Sequence, residues 1–460
     1  MQLLERRVAI PLAPDHAGLI GHMEKALSFR LGDGEVPVRV AVTAIEDGQY
    51  QCEIGCLVGA GDDERSGERA IFGFERRPGE SAGGFNAVYL VPTGIGAEVG
   101  GHAGDATPAA HLLATCCDHL VTHPNVVNAS DINEIPANAF YVEGSVICRL
   151  LMGTVGLRPV RANRVLVVID ARSDEMIENL TLNTVEATRA TYGLDCAGIY
   201  RLDPPLELEA AYAASGRAAG SGRGLGRLFE LLRETRESYD AVAISSLIDV
   251  PDGYHDRYFT SFGDMINPWG GVEAMLTHAV SWAFDVPSAH APMMESREIL
   301  FADPGRVDPR MAAEAISSSF LQCVLKGLKQ SPRIVTDPVE MRGADVMTAE
   351  NVSCLILPDG CIGLPTLAAL EQGVPVIAIR EGCGVMANDL AVLPWRPGQL
   401  FIVENYWEAA GVLSALRAGI TPGAVRRPFA KMPATTWREA AATRSEEDNR
   451  GRHAGIGKKY

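Results

Sequence analysis

A chain of 460 residues, 47% hydrophobic and 22% charged, has the composition of an ordinary globular protein and the length for two or three domains. Its 41 Lys+Arg against 58 Asp+Glu give a formal charge of −17, which argues against non-specific binding to nucleic acid or to an anionic membrane surface. No run approaches the roughly 18 apolar residues of a membrane span, and the start, MQLLERRVAIPLAPD, lacks the apolar core and cleavage site of a signal peptide, so a cytoplasmic location is expected.

In that setting the ten cysteines read as reduced, mostly buried thiols; neither Cys52/Cys56 nor Cys116/Cys117 has the C-x-x-C spacing of a zinc knuckle. Residues 1 to about 90 are strand-rich: VAIPL, VRVAVTAI and QCEIGCLVG read as strands, and HAGLIGHMEKALSF, between the first two, has helical spacing. From Asn86 the pattern changes. AVYLVP is a short, wholly apolar strand followed by a Gly-rich loop and the helix TPAAHLLATCCDHL, and HLVTHPNVVN is a strand end running into a polar loop. After a boundary at about 153–164, VLVVIDA opens a second unit, and DAVAISSLI, SCLILPD, PVIAIRE and LFIVEN are further apolar strands. Helices are expected between most of them, at 271–283, 309–326, 363–372 and 405–417. AASGRAAGSGRGLG, at 213–226, reads as a flexible loop. Continuous apolar strands alternating with helices argue for parallel sheets covered on both faces. The expected architecture is α/β: two parallel-sheet, Rossmann-like domains with a cleft between them, at 1–160 and 161–432. The strand-rich segment packs on the first, and 433–460 forms a flexible or docking tail.

Four places carry ionisable residues on glycine-bearing or strand-end turns. In VPTGIGAEVGGHAGDATP, Thr93, Gly94, Gly96, Glu98 and Asp105 precede a helix opened by Thr107 and Pro108. The G-x-G-x-x-x-G spacing and the two acids do not suit a dinucleotide, and the next strand ends without a ribose-binding carboxylate, so no nicotinamide or flavin cofactor is expected. In THPNVVN, His123 and Asn125 follow an apolar strand, where open α/β sheets place ligand groups; His123 is equally suited to bond backbone. In NPWGGVEAMLTH, Asn267, Gly270 and Gly271 start a helix whose exposed N–H groups would suit an anion. Glu273, His278 and His290 lie close by in sequence as acid/base candidates, with no metal-binding spacing. In SCLILPDGCIGLPTLAALEQGVPVIAIREG, Cys361 sits on a strand-to-helix turn that would favour thiolate, with Asp359 and Arg380 as polar neighbours; a buried core thiol is the competing reading.

That fourth segment resembles both the cysteine-bearing turn of racemases and maleate isomerases and the nucleotide-sugar half of two-domain glycosyltransferases and epimerases. Taken together, VPTGIGAEVGGHAGDATP, THPNVVN, NPWGGVEAMLTH, VPSAHAP, DPRMAAEAISSSFLQCVLKGL and DGCIGLPTLAALEQGVPVIAIRE resemble an uncharacterised family of bacterial, cyanobacterial and plant proteins over residues 86–395. The resemblance implies one folded unit with a shared site and brings no assigned reaction. His102 stands where some relatives have an aromatic residue, which argues against an obligatory catalytic role for it.

The functional expectation is an enzyme of small-molecule metabolism doing acid/base chemistry (isomerisation, elimination or hydrolysis) on a small polar anion, without a redox cofactor or a metal. The helix starts would hold the anion, and His123, Glu273, His278, His290 and Cys361 would move protons. A homo-oligomer is compatible with this. The alternatives are a nucleotide-sugar transferase or epimerase and a non-catalytic protein that binds a small anion.

Overall fold

The computed structural model describes residues 1–13, 18–59, 71–172, 174–261, 263–386, 388–429 and 431–437. Residues 1–419 form one compact unit. It holds two all-parallel sheets and one larger sheet that is antiparallel apart from one short pairing at its edge. The tail expected from 433 falls mostly outside the described residues. Within the second unit, which starts at Ile420, Pro422–Val425 makes one 3-10 turn, and Phe429, Met432 and Trp437 are exposed.

The six-stranded parallel sheet runs in the order Leu400–Val403, Val376–Ile379, Val352–Pro358, Asn86–Tyr89, His119–Thr122, Ala139–Tyr141. Asn86–Tyr89 and Val352–Pro358 are buried at every residue, which is why they read as unbroken apolar runs. The four-stranded parallel sheet runs Asp195–Leu202, Arg164–Asp170, Ala241–Ser246, Ser288–Pro292. The expected boundary near 160 does not follow the sheets, because the six-stranded sheet takes strands from both sides of it. Nor is 153–164 a free linker. Gly156–Arg158 pairs with Arg333–Val335, and the buried Asn163 amide donates to the carbonyls of Leu328 and Ser331.

The seven-stranded sheet contains the three N-terminal strands as expected, Gln2–Pro11, Glu35–Glu46 and Gln49–Val58, with the helix Leu19–Ser28 between the first two. That helix buries Leu19, Ile20, Met23 and Leu27, and its first turn is capped from afar by Glu371, which accepts from the N–H groups of Gly18 and Ile20. Between Gln2–Pro11 and Glu207–Tyr212 lies Ala218–Arg223, in the segment expected to be a flexible loop. Its small residues are there for packing. A Cβ on Gly220 would stand 2.3 Å from the Glu209 carbonyl oxygen and 2.9 Å from Val272 Cβ of the helix Gly270–Phe284. Close approach of that helix excludes the β-branched side chains by which a strand is usually recognised.

The single helix expected over 309–326 is broken into a 3-10 turn Pro309–Met311, a short helix Ala312–Ala315 and a helix Leu321–Lys329. The serines between them divert the backbone. Ser317 Oγ donates to the Ser319 carbonyl, and Ser319 Oγ accepts from Leu321 N–H.

Candidate active site

Both parallel sheets reverse their chain order internally, between Asn86–Tyr89 and Val352–Pro358 in one and between Arg164–Asp170 and Ala241–Ser246 in the other. Open α/β sheets bind ligands outside the carboxyl ends of their strands at such reversals. A cavity of about 660 Å³ lies there. Thr93, His123, Glu143 and Cys361 reach it from beyond the strand ends of the six-stranded sheet, Leu247 and His290 from the four-stranded sheet, and Arg39 from the seven-stranded sheet. Its volume suits a whole small-molecule ligand.

Glu273, in the first turn of the helix Gly270–Phe284, accepts at 2.9 Å from His290 Nδ1, and His290 Nε2 lies 2.8 Å from Ser246 Oγ. An ionised Glu273 requires the proton on Nδ1, so the Ser246 hydroxyl donates to Nε2 and fixes that tautomer. The spacing is that of a Ser–His–carboxylate triad, but its direction is reversed. Ser246 is fully buried and does not line the cavity, whereas the Glu273 side chain is 24% exposed and does. The carboxylate is the end that meets the cavity, and the serine holds the buried end.

His278 and Glu143 form a second pair. His278 Nε2 is 3.0 Å from Glu143 Oε1, and Nδ1 is 3.1 Å from the Val38 carbonyl oxygen. Both ring nitrogens face acceptors. Burial opposes ionisation of Glu143, but His278 beside it and the donors of Ser145 outweigh this and hold it below the ordinary glutamate range. His123, the N-cap of the short helix Pro124–Val127, accepts from Val91 N–H at Nε2 and so carries its proton on Nδ1. Burial, aided by the charge of His278 and opposed by Glu143, lowers its pKa to about 4, so it is neutral at physiological pH.

A third group has no counterpart in the sequence reading. Glu314 ends in the cavity wall, accepting from Ala103 N–H and from the Tyr258 hydroxyl, and the Tyr258 oxygen in turn lies 2.8 Å from His102 Nδ1. Burial raises the Glu314 carboxyl to about 7, and the charges of Asp105 and Glu273 add to this. Burial likewise lowers His102 to about 4. Deep at the reversal of the four-stranded sheet, Asp170 accepts from the N–H groups of Leu206 and Leu247, and burial raises it to about 6.

The glycine-rich loop and the helix start meet, but they hold each other and leave no open anion cradle. A Cβ on Gly94 would lie 2.9 Å from Ala218 Cβ, on Gly96 2.6 Å from Ile266 Cγ1, on Gly270 2.6 Å from Thr93 Cγ2, and on Gly271 2.4 Å from backbone atoms of Ala218 and Ala219. Asn267 Oδ1 accepts from Trp269 and Gly270, which occupies the leading N–H groups of that helix. Asn125 donates to the carbonyls of Val91 and Gly100, and Asp105 accepts from Gly100 and His102, so both brace the loop. Glu98 is turned outward in an ion pair with Arg310 at 2.9 Å. Asp359 caps Gly360 N–H, and Arg380 is an exposed partner of Glu404; neither lines the cavity. Cys361 lines the cavity but lacks the activation expected of it. Burial, with Asp359 and Cys383 adding to it, pushes its thiol well above the ordinary cysteine value.

Among the described residues no group of three or more His, Cys, Asp or Glu is arranged to hold a metal ion, and no helix is long and apolar enough to cross a membrane. No solved structure matches the chain. The chain is 33% identical over 348 residues to an uncharacterized lipoprotein of Synechococcus sp., an alignment covering 74% of this chain and 92% of the relative. The model of a family described as protein of unknown function (DUF3326) matches residues 86–426, which hold every strand of the two parallel sheets and the Glu273, Glu143 and Glu314 groups. The chain belongs to the DUF3326 family.

Proposed function

We propose that the chain is an enzyme performing acid/base chemistry (isomerisation, elimination or hydrolysis) on a small anionic molecule, with no redox cofactor. The observation that carries the reading is the Ser246–His290–Glu273 chain, which ends in a carboxylate at the cavity wall. Glu273 is the base, and His290 stabilises its charge and fixes its direction. Glu314, held near 7, is the proton donor on the same cavity. Two carboxylates whose surroundings separate their roles are how one site runs acid and base steps at a single pH. His123 offers an Nδ1–H donor to a substrate oxygen without competing for protons. We read the two parallel sheets as Rossmann-like halves, a reading supported by their order reversals. The ten free cysteines suit a reducing, cytoplasmic setting.

Incubation in D2O with a panel of hydroxy, keto and unsaturated carboxylates, followed by NMR, tests this directly. Wild type should exchange or convert at least one compound, and Glu273→Gln should lose that activity while keeping its melting temperature. Binding without exchange or conversion across the panel would instead support an anion-binding protein. Turnover confined to uridine or guanosine diphosphate sugars would support the nucleotide-sugar reading.

A further inference from the structure

Of the three arginines that line the cavity, two have carboxylate partners. Arg217, fully buried, is saturated: Nη2 meets Glu5 at 2.6 Å, Nε meets Glu53 at 3.0 Å and Nη1 donates to the Ala218 carbonyl. Glu53 is further occupied by Ser215 through N–H and Oγ. Arg149 is paired with Asp285 at 2.8 Å through Nη2, although its Nη1 is also buried without a partner, and His278 is paired with Glu143. Arg39, on the strand Glu35–Glu46, is different. Its Nη2 donates at 2.7 Å to the Thr93 carbonyl, which fixes the plane of the guanidinium, while Nη1 is buried with no partner. No carboxylate lies within ion-pair distance of it among the described residues. Burial, and then the neighbouring Arg217 charge, lower its pKa to about 9. A guanidinium of fixed orientation that lines a cavity and has no carboxylate partner is an arrangement that an oxyanion completes.

The remainder of the wall limits what else that anion can carry. Glu273 also faces the cavity, so a second negative charge near it on the ligand would meet a carboxylate. Leu90, Ile95, Phe259, Trp269, Met293 and Leu364 supply apolar surface. We infer that Arg39 anchors the single carboxylate of a ligand whose body is apolar. This rests on the acid/base reading only for what happens afterwards: the anchored carboxylate would hold the body of the molecule against Glu273 and Glu314. The subsite itself stands on Arg39 whether or not the protein is a catalyst.

Calorimetry on the full chain tests the subsite without any need for turnover. The probes are 3-phenylpropionate and octanoate, their neutral amides, succinate and inorganic phosphate. The monocarboxylates should bind at least tenfold more tightly than their amides, succinate or phosphate. Arg39→Gln should lower monocarboxylate affinity by roughly 10–100-fold, as loss of a charge-assisted pair does, and Arg39→Lys should recover part of it. Amides binding as well as acids, Arg39→Gln binding like wild type, or preference for succinate or phosphate would each overturn the inference. The last would mean that a more highly charged anion is the ligand. A bare Nη1 satisfied through water by the equally unpartnered Glu5 Oε1 would appear as no carboxylate binding at all, which also overturns it. Carboxylate binding that depends on Arg39, with no exchange or conversion of any compound, would leave the subsite standing and remove only the acid/base reading.

Discussion

His290 Nδ1 stands 2.9 Å from Glu273 Oε1, although the two residues lie on a strand and on the first turn of the preceding helix, 17 positions apart. The His290 side chain is 1% exposed and that of Glu273 24%, so the pair has a buried end and an open end. Substitutions at the two ends should therefore behave differently. Glu273→Gln should lower turnover by roughly 10²–10⁴, the range for loss of a general base, at an unchanged melting temperature. Ser246→Ala leaves His290 Nε2 buried without a donor. It should cost about 1–3 kcal/mol of stability and shift the pH profile of turnover, because the tautomer is no longer fixed. Steady-state kinetics across pH, with calorimetric melting of the same samples, separates these effects. A fully active Glu273→Gln protein would remove the pair from the chemistry.

Four residues that line the cavity were legible from their positions, His123 and His290 by strand position and Glu273 and His278 on a helix opened by Asn-Pro-Trp-Gly. Their pairing was not, since Glu143 and His278 are brought together from distant parts of the chain and Ser246 looked like the end of a core strand. Glu314 was concealed by the Ala-rich run around it, which reads as an ordinary helix face until the serines break it. Arg39 alternates with valines as any strand arginine would, and only the fold shows that it turns toward a cavity. The edge strands Ala139–Tyr141, Asp195–Leu202 and Ser288–Pro292 carry no apolar run, while the other seven of the ten parallel strands were legible as such runs. Their assembly was not, because the pairing of Asn86–Tyr89 with Val352–Pro358 is set by packing across the whole intervening chain.

The strand Ala218–Arg223 gives a stability prediction. Gly271→Ala would force a Cβ to 2.4 Å from the Ala218 and Ala219 backbone, where no flexible side chain can yield. The helix Gly270–Phe284 would have to move off the sheet, at a cost of about 2–3 kcal/mol. Gly226→Ala, in the helix Leu225–Glu234, has nothing within 4 Å of the new methyl group and should be neutral or stabilise by about 0.5–1 kcal/mol. Urea titration of the two variants checks the contrast. Equal stabilities would mean that the small-residue strand is not packed as described.

Glu314 should make stability depend on pH in a defined direction. Its carboxyl rises from 4.5 to about 7 on folding, so its contribution is complete below 4.5 and lost as pH climbs through 7. His102 and His123, both lowered to about 4, act oppositely, contributing stability above 6.5 that is lost as pH falls toward 4. The wild-type curve mixes these trends, and a difference between variants does not. Glu314→Gln minus wild type should therefore grow between pH 4.5 and 7 by up to about 3 kcal/mol and then level off. A difference that stays flat across that range would place Glu314 in the ordinary glutamate range and withdraw it as the proton donor.

Cys361 supplies the last test, because its turn looks activating in sequence and is not so in the fold. A helix begins three residues later at Leu364, and its dipole would favour thiolate. Against this, Cys361 is only 4% exposed and Asp359 adds negative charge, and together these push the thiol far above neutrality. Alkylation follows thiolate fraction and access, so a brief iodoacetamide pulse at neutral pH should label exposed Cys383 first and half-buried Cys116 and Cys196 more slowly. Cys361 should stay unmodified until the chain unfolds, with or without a bound carboxylate, and Cys361→Ala should retain ligand affinity within about twofold, since no polar contact is lost. Mass-spectrometric mapping reads all ten cysteines in one experiment. Fast labelling of Cys361 that ligand suppresses would show a thiolate in the cavity. It would transfer the role of base from Glu273 to a cysteine, as the likeness of this turn to the racemases implies.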